Sequence, residues 1–539
     1  MPLHLMLSIL QDRVYICFAK SMGHSKKLNR GKNLILGTFI GYFSVILNIV
    51  SGLLLTPVII KFYGESGHGI YTLSLTLINV FLIDFGLSNA ASIFLSKYRA
   101  ANDEQNIKKT LTIVYKSYLI LDCVLAVLFF GLYFLVPYLY QGLSPDEVGT
   151  FQNCLIIVSL SSLLSFPCTI FDGVINAYER FAFLKIMNVI NRLLFVIFAL
   201  VSIFAKLNLY FLVLSNCLSG LICHGIRYLY IRFKLGVVAD FHIKISRSDI
   251  KVFLAFSAWS ALIAIAARVP FNFVPNILGF VASSAEASHF GVCSTIEGFS
   301  YSLSTVCSSF FLPILADLKA KQEDYHEKFG RIANLLGKIQ FFVIGLIVVG
   351  FAVVGKDFLV MWMGADNSQS IYYGVLILFG HQLLYAPQIA FEQFSFLSKD
   401  GLKKHAIIEL VSSVLNIIFG FAFILLFKEI GLAPFVGACV SILLAKIVSW
   451  GLKNLYYRKK YRQELPSFFG NVYGKGFFLI FTVLLALVGL SRILIFENIF
   501  ARFLVNGFIT VALYIAGVLP LFNKEEKQTI LGTIKRRKS

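Results

Sequence analysis

Apolar segments long enough to cross a lipid bilayer follow one another along almost the whole chain. A helical span needs about 20 apolar residues. Backbone groups in lipid must be hydrogen-bonded within the membrane, and the segments do not alternate polar and apolar residues as barrel strands do. The sequence therefore predicts an all-α polytopic membrane protein with about fourteen transmembrane helices. The predicted spans cover about 35–60, 69–95, 110–140, 149–176, 186–205, 208–230, 252–281, 287–316, 335–355, 371–397, 405–427, 431–452, 476–496 and 498–522.

Composition supports the same class. Of the 539 residues, 58% are hydrophobic and only 14% are charged, which is more apolar surface than a soluble core buries. The nine cysteines are scattered and form no CxxC or Cys/His cluster, so we interpret them as small core residues and expect neither a metal site nor a cofactor. The apolar run in residues 1–21 is too short to span and has no basic region before it. Met1 and Met22 remain alternative translation starts.

The basic residues predict the orientation of the chain. Segments on the side of the two termini hold 38 Lys and Arg residues, the opposite side holds 6, and four lie within spans. Positive residues accumulate in cytoplasmic loops, so we expect both termini to be cytoplasmic. The net charge of +20 is then explained by topology and by anionic lipid, without nucleic acid.

Short loops favour a transporter over an enzyme. The longest external loop runs from Lys356 to Ser370, which leaves no room for a soluble catalytic domain. This weighs against a membrane glycosyltransferase or an O-antigen polymerase. The chain also has no GxxxxGK[ST] motif, so we do not expect ATP to be hydrolysed by this chain.

The chain resembles itself at an offset of about 220 residues. Pro167 and Asp172 align with Pro387 and Glu392, and at an offset of 218 Pro57 aligns with Pro275. The offset spans six helices, so the halves have the same orientation, and a parallel repeat predicts a substrate site between them. The predicted parts are an N-terminal segment (1–34), an N-lobe (35–232), a linker (233–251), a C-lobe (252–455), a loop (456–475), two added spans (476–522) and a basic tail (523–539).

Polar residues inside the seventh span are candidates for binding. Arg268, Asn272 and Asn276 are spaced to lie on one helical face, and Pro270 and Pro275 predict a bend beside them. A guanidinium near mid-membrane is a good diphosphate ligand, because its planar fork matches phosphate oxygens. The alternative is a structural ion pair with a nearby carboxylate.

Two further spans carry polar stripes at helical spacing. Such stripes line a polar cavity or form hydrogen-bonded seams between helices, and the presence of carboxylates favours the cavity. The eighth span carries Ser294, Glu297, Tyr301, Ser304, Thr305 and Ser308, and the tenth carries His381, Tyr385, Gln388 and Glu392.

Acids within the spans are candidates for ion coupling, because burial favours the neutral carboxyl and permits proton exchange. The alternative is that they pair with the in-span cations Lys116, Arg192, Arg268 and Lys446. The in-span acids are Asp84, Asp122, Asp172, Glu297, Glu392 and Glu409, and the coupling candidates are Asp84, Asp172, Glu297 and Glu392.

Two segments resemble a known family. They are TPVIIKFYGESGHGIYTLSLTLINVFLIDFGLSNA from Thr56, in which Gly64, Gly67 and Gly69 predict a short loop, and INAYERFAFLKIMNVINRL from Ile175. Together with the fourteen-span plan, they are similar to the polysaccharide transporters of the multidrug/oligosaccharidyl-lipid/polysaccharide exporter superfamily. These are Wzx-type flippases of lipid-linked oligosaccharides in O-antigen, lipopolysaccharide and capsule synthesis.

The resemblance implies two six-helix lobes around a cationic cavity that alternates between the two faces of the bacterial inner membrane. The cargo would be an undecaprenyl-diphosphate-linked oligosaccharide. The implied partners are this substrate, the bilayer, a proton or sodium ion, and a polysaccharide polymerase with its chain-length regulator. Spans 13 and 14 would accommodate the lipid tail, as in the related lipid II flippases. The candidate substrate-binding residues are Arg268, Arg192, Lys116, Asn272, Asn276, Glu297, Tyr301 and Gln388.

The main alternative within the superfamily is a cation-coupled multidrug exporter. Such an exporter typically has twelve spans and a more acidic cavity. The fourteen predicted spans and the basic residues within them favour the flippase.

Overall fold

The computed structural model describes residues 24–237, 239, 241–242, 261–309, 325–396, 398–462, 464–491, 497–523 and 526. Every regular element in these ranges is helical. The α-helices are α1 (His24–Phe81), α2 (Leu87–Ala100), α3 (Glu104–Leu139), α4 (Pro145–Ser165), α5 (Ile170–Ala177), α6 (Phe181–Phe204), α7 (Leu209–Tyr230), α8 (Ala261–Val281), α9 (Ser284–Ser309), α10 (Tyr325–Met363), α11 (Ser368–Tyr385), α12 (Ile389–Phe396), α13 (Lys399–Glu429), α14 (Pro434–Lys460), α15 (Glu464–Phe468), α16 (Lys475–Ser491) and α17 (Ile499–Val518).

Helix length and composition confirm the predicted all-α membrane class. Within the described ranges, 12 helical stretches are long and apolar enough to cross a membrane. The first of them contains two predicted spans, because α1 continues on both sides of a kink at Gly64, where φ is 76° and ψ is 168°. The eighth predicted span corresponds to α9, which is described up to Ser309.

The predicted loop between the first two spans is smaller than expected. Gly64 alone of the three glycines leaves the helical conformation, whereas Gly67 and Gly69 lie within α1. Gly69 is needed for packing, because a Cβ at this position would overlap the carbonyl oxygen of Ser284 on α9.

The second predicted span is not one continuous helix, which corrects the sequence-based assignment of 69–95. α1 ends at Phe81 and α2 begins at Leu87. Between them Phe85 and Gly86 have φ values of 49° and 71°, in the left-handed region that a regular helix cannot include. Apolar periodicity alone did not reveal this break, because the residues on both sides of it are apolar.

Prolines interrupt the helices at one of the two proline pairs that the internal repeat aligns, whereas Pro57 of the other pair lies inside α1. A 3₁₀ turn at Phe166–Thr169 contains Pro167 between α4 and α5, and a 3₁₀ turn at Ala386–Gln388 contains Pro387 between α11 and α12. Proline lacks the N–H that an α-helix needs at this point, so the chain tightens for one turn. The predicted bend of the seventh span coincides with a π-helical turn at Val269–Phe273 within α8.

The described chain divides into two compact units. The first unit contains the described residues within 28–292 and 405–441, and the second contains the described residues within 24–27, 293–404 and 442–526. An aromatic cluster that includes Phe329, Phe391, Tyr461 and Phe468 forms the core of the second unit. The predicted six-helix lobes stay a prediction. Most of the N-terminal segment, the linker and the basic tail, together with Arg492 and the end of the eighth span, lie outside the described residues.

Candidate functional site

The break in the second predicted span places Asp84 between two helix ends, beside opened backbone. The Oδ1 atom of Asp84 accepts a hydrogen bond from the backbone N–H of Gly86 at 3.0 Å. Gly86 is the N-cap residue of α2. A carboxylate at this position satisfies a free donor and complements the positive end of the helix dipole.

Arg268 stabilises the other side of the same break. Its Nη1 atom donates to the carbonyl oxygen of Asn79, in the last turn of α1, at 2.5 Å. Asp84 lies within electrostatic reach of the guanidinium. Helix dipoles favour a cation at the carboxyl end of one half-helix and an anion at the amino end of the next. Arg268 and Asp84 therefore hold the two ends of a discontinuous helix, which is a recurrent feature of transporter binding sites.

The two asparagines that follow Arg268 are hydrogen-bonded into the helix packing. Asn272 donates to the carbonyl oxygen of Arg268 at 3.2 Å, and Asn276 donates to that of Asn272 at 2.6 Å. Asn276 is fully buried, and its Oδ1 accepts from the hydroxyl of Tyr140 at 2.6 Å. Its amide also donates to Thr76 at 3.2 Å. Asn276 therefore ties three helices together, and its polar atoms are occupied.

The structure does not bring the other two predicted cations to Arg268. The Nε atom of Arg192 donates to the hydroxyl of Ser51 at 2.5 Å, and the guanidinium lies over the ring of Phe195 at 5.3 Å. Lys116 lies on the face of α3 that also carries Ile120, whose side chain is largely exposed. A lysine on such a face extends its charged end along the apolar surface towards the interface.

The aligned acids of the repeat each form an ion pair with the last helix of their own half. Asp172 lies 3.3 Å from Nη1 of Arg227 on α7, and Glu392 lies 3.2 Å from Nζ of Lys453 on α14. Arg227 also donates to Asn188 at 3.1 Å. The same local arrangement, a 3₁₀ turn followed by a paired acid, thus occurs twice, which favours the predicted repeat.

Two lysines and a tyrosine form a cationic cluster within the second unit. The Nζ atoms of Lys446 and Lys453 lie 5.2 Å and 4.6 Å from the ring centroid of Tyr385. Lys453 is 2% exposed and forms an ion pair with Glu392. An aromatic face between ammonium groups stabilises their charge in a medium of low dielectric constant. We refer to Tyr385, Lys446 and Lys453 as the lysine cluster.

Amide and phenol groups surround the lysine cluster. Gln388 donates to the side-chain oxygen of Asn454 at 2.6 Å, and Asn454 donates to the carbonyl oxygen of Trp450 at 2.8 Å. Tyr301 is 58% exposed and lies within electrostatic reach of Lys446 and Lys453. These groups offer donors, acceptors and an aromatic face beside fixed positive charge.

Some residues of the polar stripe on the eighth span form a hydrogen-bonded seam, and one is exposed as a cavity lining would be. Glu297 is 4% exposed, lies 3.2 Å from Nε2 of His381, and accepts from the amide of Gln382. Ser304 donates to Gln340 at 2.7 Å. These residues form a hydrogen-bonded seam between α9, α10 and α11, while Tyr301 on the same stripe is exposed. The side chains of Thr305 and Ser308 lie outside the described part of the chain.

Residues one repeat apart meet at the end of the helices opposite the chain termini. The hydroxyls of Ser66 and Ser284 both donate to Oε1 of Glu147, on the first turn of α4. The ring of His289 lies 3.1 Å from the carboxylate of Glu65. This contact, which we call the serine clasp (Ser66, Glu147 and Ser284), lies within the first unit.

Sequence analysis missed Lys453, Asn454 and Arg227 as site residues. Lys453 and Asn454 follow the predicted end of the twelfth span, and Arg227 was counted with a cytoplasmic segment. α14 extends further than the apolar run of the twelfth predicted span, so Lys453 and Asn454 still lie within it, and Arg227 lies in the last turn of α7. The seven-residue spacing of Lys446 and Lys453, which places them on one helix face, was the available signal. The described residues contain no group of three His, Cys, Asp or Glu side chains arranged to hold a metal ion.

Comparison with solved structures shows the fold. The chain is similar to a structure described as "Lipid II flippase MurJ, inward closed conformation", at 14% identity and a TM-score of 0.66, covering 90% of this chain and 98% of that chain. It is similar to "Crystal structure of MATE in complex with MaL6" at 13% identity and a TM-score of 0.58, covering 81% and 97%. A MOP superfamily transporter from Pyrococcus furiosus matches at 11% identity and a TM-score of 0.52, covering 85% and 98%.

A family model identifies the chain directly. No curated protein matches it. The model described as "Polysaccharide biosynthesis protein" matches residues 32–319, which is more than half of the chain. This match contains both segments on which the predicted resemblance was based, and it confirms that resemblance. The chain therefore belongs to the polysaccharide biosynthesis protein family of membrane transporters.

Proposed function

We propose that this protein is a flippase that moves an undecaprenyl-diphosphate-linked oligosaccharide from the cytoplasmic to the periplasmic leaflet of a bacterial inner membrane. The observation that carries the proposal is the lysine cluster. Two ammonium groups on one helix face, next to amide and phenol side chains, match a cargo whose charged diphosphate is joined to a sugar.

The diphosphate would bind at Lys446 and Lys453. Glu392 pairs with Lys453, and Lys446 supplies the second ammonium group of the cluster. Lys446 lies on the same helix face two turns earlier, and both ammonium groups lie close to the ring of Tyr385. An anion placed there gains charge-assisted hydrogen bonds without removing the Lys453–Glu392 pair.

The first sugar would bind at Tyr301, Gln388 and Asn454. Sugars present hydroxyl groups at their edges and C–H groups on their faces, so amides and an exposed phenol suit them. Tyr301 is exposed, and it lies within electrostatic reach of Glu392 and Glu297 as well as of both lysines. Arg268 at the helix break supplies a further cation in the first unit, where it is bonded to Asn79.

The direct test is complementation of cells that lack their own flippase. Lys446→Ala and Lys453→Ala should each reduce surface glycan, and the double variant should reduce it most. Lys404→Ala is the matched control, because Lys404 is exposed and pairs only with the exposed Asp400 among the ion pairs of the described residues. If the double variant is present at a normal protein level and gives normal surface glycan, the lysine cluster does not bind the diphosphate.

The MATE-like fold keeps a drug exporter as the second candidate function. Efflux of a labelled cationic drug from the same cells separates the two. A flippase gives no efflux above that of the empty vector, and a drug exporter gives efflux without restoring glycan. The proposed periplasmic and cytoplasmic faces are checked by reporter fusions to each loop.

A further inference from the structure

The in-span acids differ in whether they have partners. Asp122 is the exception among the six. The buried Oδ1 atom of Asp172 likewise accepts no hydrogen bond, but it lies 3.3 Å from Nη1 of Arg227, whereas the buried Oδ1 atom of Asp122 has no hydrogen-bond partner among the described residues. It also has no ion pair within that part of the chain. Each of the other five acids interacts with a hydrogen-bond donor, a cation or another polar group. These acids are Asp84, Asp172, Glu297, Glu392 and Glu409.

The position of Asp122 makes this lack of partners important. Asp122 lies in the middle of α3, between its ends at Glu104 and Leu139. It lies on the packing face of the helix, at helical spacing from Tyr118, Leu125 and Phe129, which are all buried. A charged carboxylate at the centre of a membrane helix costs at least roughly 2.5–3.5 kcal/mol. A neutral carboxyl avoids that cost, because it has no charge to solvate.

The charged groups on neighbouring elements do not neutralise Asp122. Cys168, on the 3₁₀ turn packed against α3, is the titratable group within electrostatic reach, and its thiol donates to the carbonyl of Leu164 at 3.4 Å. Arg227, on the other side of Cys168, is paired with Asp172. Tyr118, one turn earlier on α3, is a neutral phenol.

Asp84 and Asp172 lie within electrostatic reach of Tyr118, one turn before Asp122, but they are acids and cannot neutralise a carboxylate. Other charged residues lie at the two ends of α3 or on its other face. Lys97 and Arg99 are in the last turn of α2, next to the start of α3. Asp146 and Glu147 are in the first turn of α4, after the end of α3. At 1.5 Å per residue, both ends are about 25 Å from the middle of the helix. Lys116 is on the exposed face of α3.

We propose that Asp122 is a proton-binding site that couples transport to the proton gradient. In the conformation described, the carboxyl group carries one proton and is neutral. A conformational change that admits water to this face lets the proton pass to water and leaves the carboxylate solvated. The assignment of the coupling ion rests on the proposed transport function, whereas the protonation of Asp122 does not.

The internal repeat predicts a single site of this kind. At offsets of 218 and 220 residues, the counterparts of Asp122 are Gln340 and Phe342. Gln340 is buried, and its side chain both accepts from and donates to Ser304. The second half thus holds a satisfied amide and a phenyl ring where the first half holds the acid. One proton per transport cycle is the expected stoichiometry.

Infrared spectroscopy of the purified protein in lipid tests the protonation. The carbonyl stretch of a protonated carboxyl is separate from that of a carboxylate, so Asp122→Asn should remove one band at neutral pH and Asp122→Glu should shift it. Asp146→Asn, at an exposed position at the start of α4, should leave the band unchanged. An unchanged band in both Asp122 variants would overturn the proposal, and the Glu variant keeps the test valid if the Asn variant does not fold.

A transport measurement tests the coupling separately. In flippase-deficient cells, an uncoupler that collapses the proton gradient should reduce glycan delivery by the wild-type protein and by Asp146→Asn. Asp122→Asn should lack the part of glycan delivery that the gradient drives, so the uncoupler should reduce its delivery less. If Asp122→Asn stays fully sensitive to the uncoupler, the coupling role is wrong. If the wild-type protein restores no glycan, the transport function itself is wrong, and the infrared result still decides the protonation.

Discussion

Ser66 and Ser284, which are 218 residues apart, donate to the same carboxylate oxygen of Glu147, and their hydroxyl oxygens are 3.2 Å apart. Nearby, His68 and Ser288, which are 220 residues apart, are hydrogen-bonded at 2.7 Å. Residues at matching positions of two repeats meet in this way where a two-fold axis passes between them. These contacts support the internal repeat independently of the sequence comparison.

The serine clasp should be a gate, because alternating access requires the two repeats to separate at one end. In a variant without the nine native cysteines, Ser66→Cys/Ser284→Cys should form a disulfide under oxidising conditions, since small side-chain rotations bring the sulfurs to bonding distance. We expect oxidation to arrest glycan delivery and a reducing agent to restore it. Each single cysteine variant serves as a control. Undiminished delivery with the cross-link fully formed would show that these residues do not separate during transport.

Gly69 should be essential for the close approach of α1 to α9. Gly69→Ala would place a methyl group against the carbonyl oxygen of Ser284, so the helices must separate. We expect a loss of about 1–3 kcal/mol in the free energy of unfolding, as for other overpacked sites. Gly131→Ala on α3 is the control, because its methyl group meets no atom within 4 Å. A lower thermal unfolding temperature for the first variant alone is the expected result, and equal temperatures would argue against the tight contact.

The Lys453–Glu392 pair should be more sensitive to losing one partner than to losing both. Lys453 and Glu392 side chains are 3% and 24% exposed, so removal of the lysine leaves a carboxylate poorly solvated. Breaking a buried pair from one side costs about 3–5 kcal/mol, and replacing both members costs less. Lys453→Met should therefore be less stable than Lys453→Met/Glu392→Gln in thermal unfolding. The opposite order of stability would mean that the two side chains do not depend on each other.

Asp84 should act mainly as a helix cap. Asp84→Asn keeps an oxygen that accepts from the N–H of Gly86, so its stability and transport should be close to those of the wild type. Asp84→Leu loses this acceptor and should cost about 0.5–2 kcal/mol. Transport and thermal unfolding of both variants distinguish the roles. If Asp84→Asn is stable but inactive, transport requires the negative charge of Asp84, which would favour a role in ion coupling over a capping role.

The membrane class, the approximate number of spans and the family could all be predicted from the sequence. Each depends on residues that are close in the chain or on composition. The length of an apolar run decides whether it spans a bilayer, and the family segments are contiguous. The sequence predicted continuous spans through Pro167 and Pro387, although proline removes a backbone donor and so gives a local signal for the interruptions found there.

The partners of the in-span polar residues were not predictable in this way. The sequence predicts that Arg268 binds a ligand or a carboxylate, but Arg268 donates to the backbone carbonyl of Asn79, which becomes available only because the second span breaks. Lys453 was assigned to a loop, but α14 continues through it and places it against Tyr385. The sequence did not distinguish Asp122 from the other five in-span acids, whereas the packing of α3 leaves its buried Oδ1 atom without a hydrogen-bond partner in the described chain.

The sequence by itself determined that this chain is a helical membrane protein of a polysaccharide transporter family, since bilayer insertion depends on apolar length and the family on contiguous segments. Tertiary structure alone decided which buried charges are paired and which helix ends are open. The physical reason is that charge pairing in a medium of low dielectric constant depends on distances of a few ångströms between residues far apart in the chain, and no spacing within one helix specifies those distances.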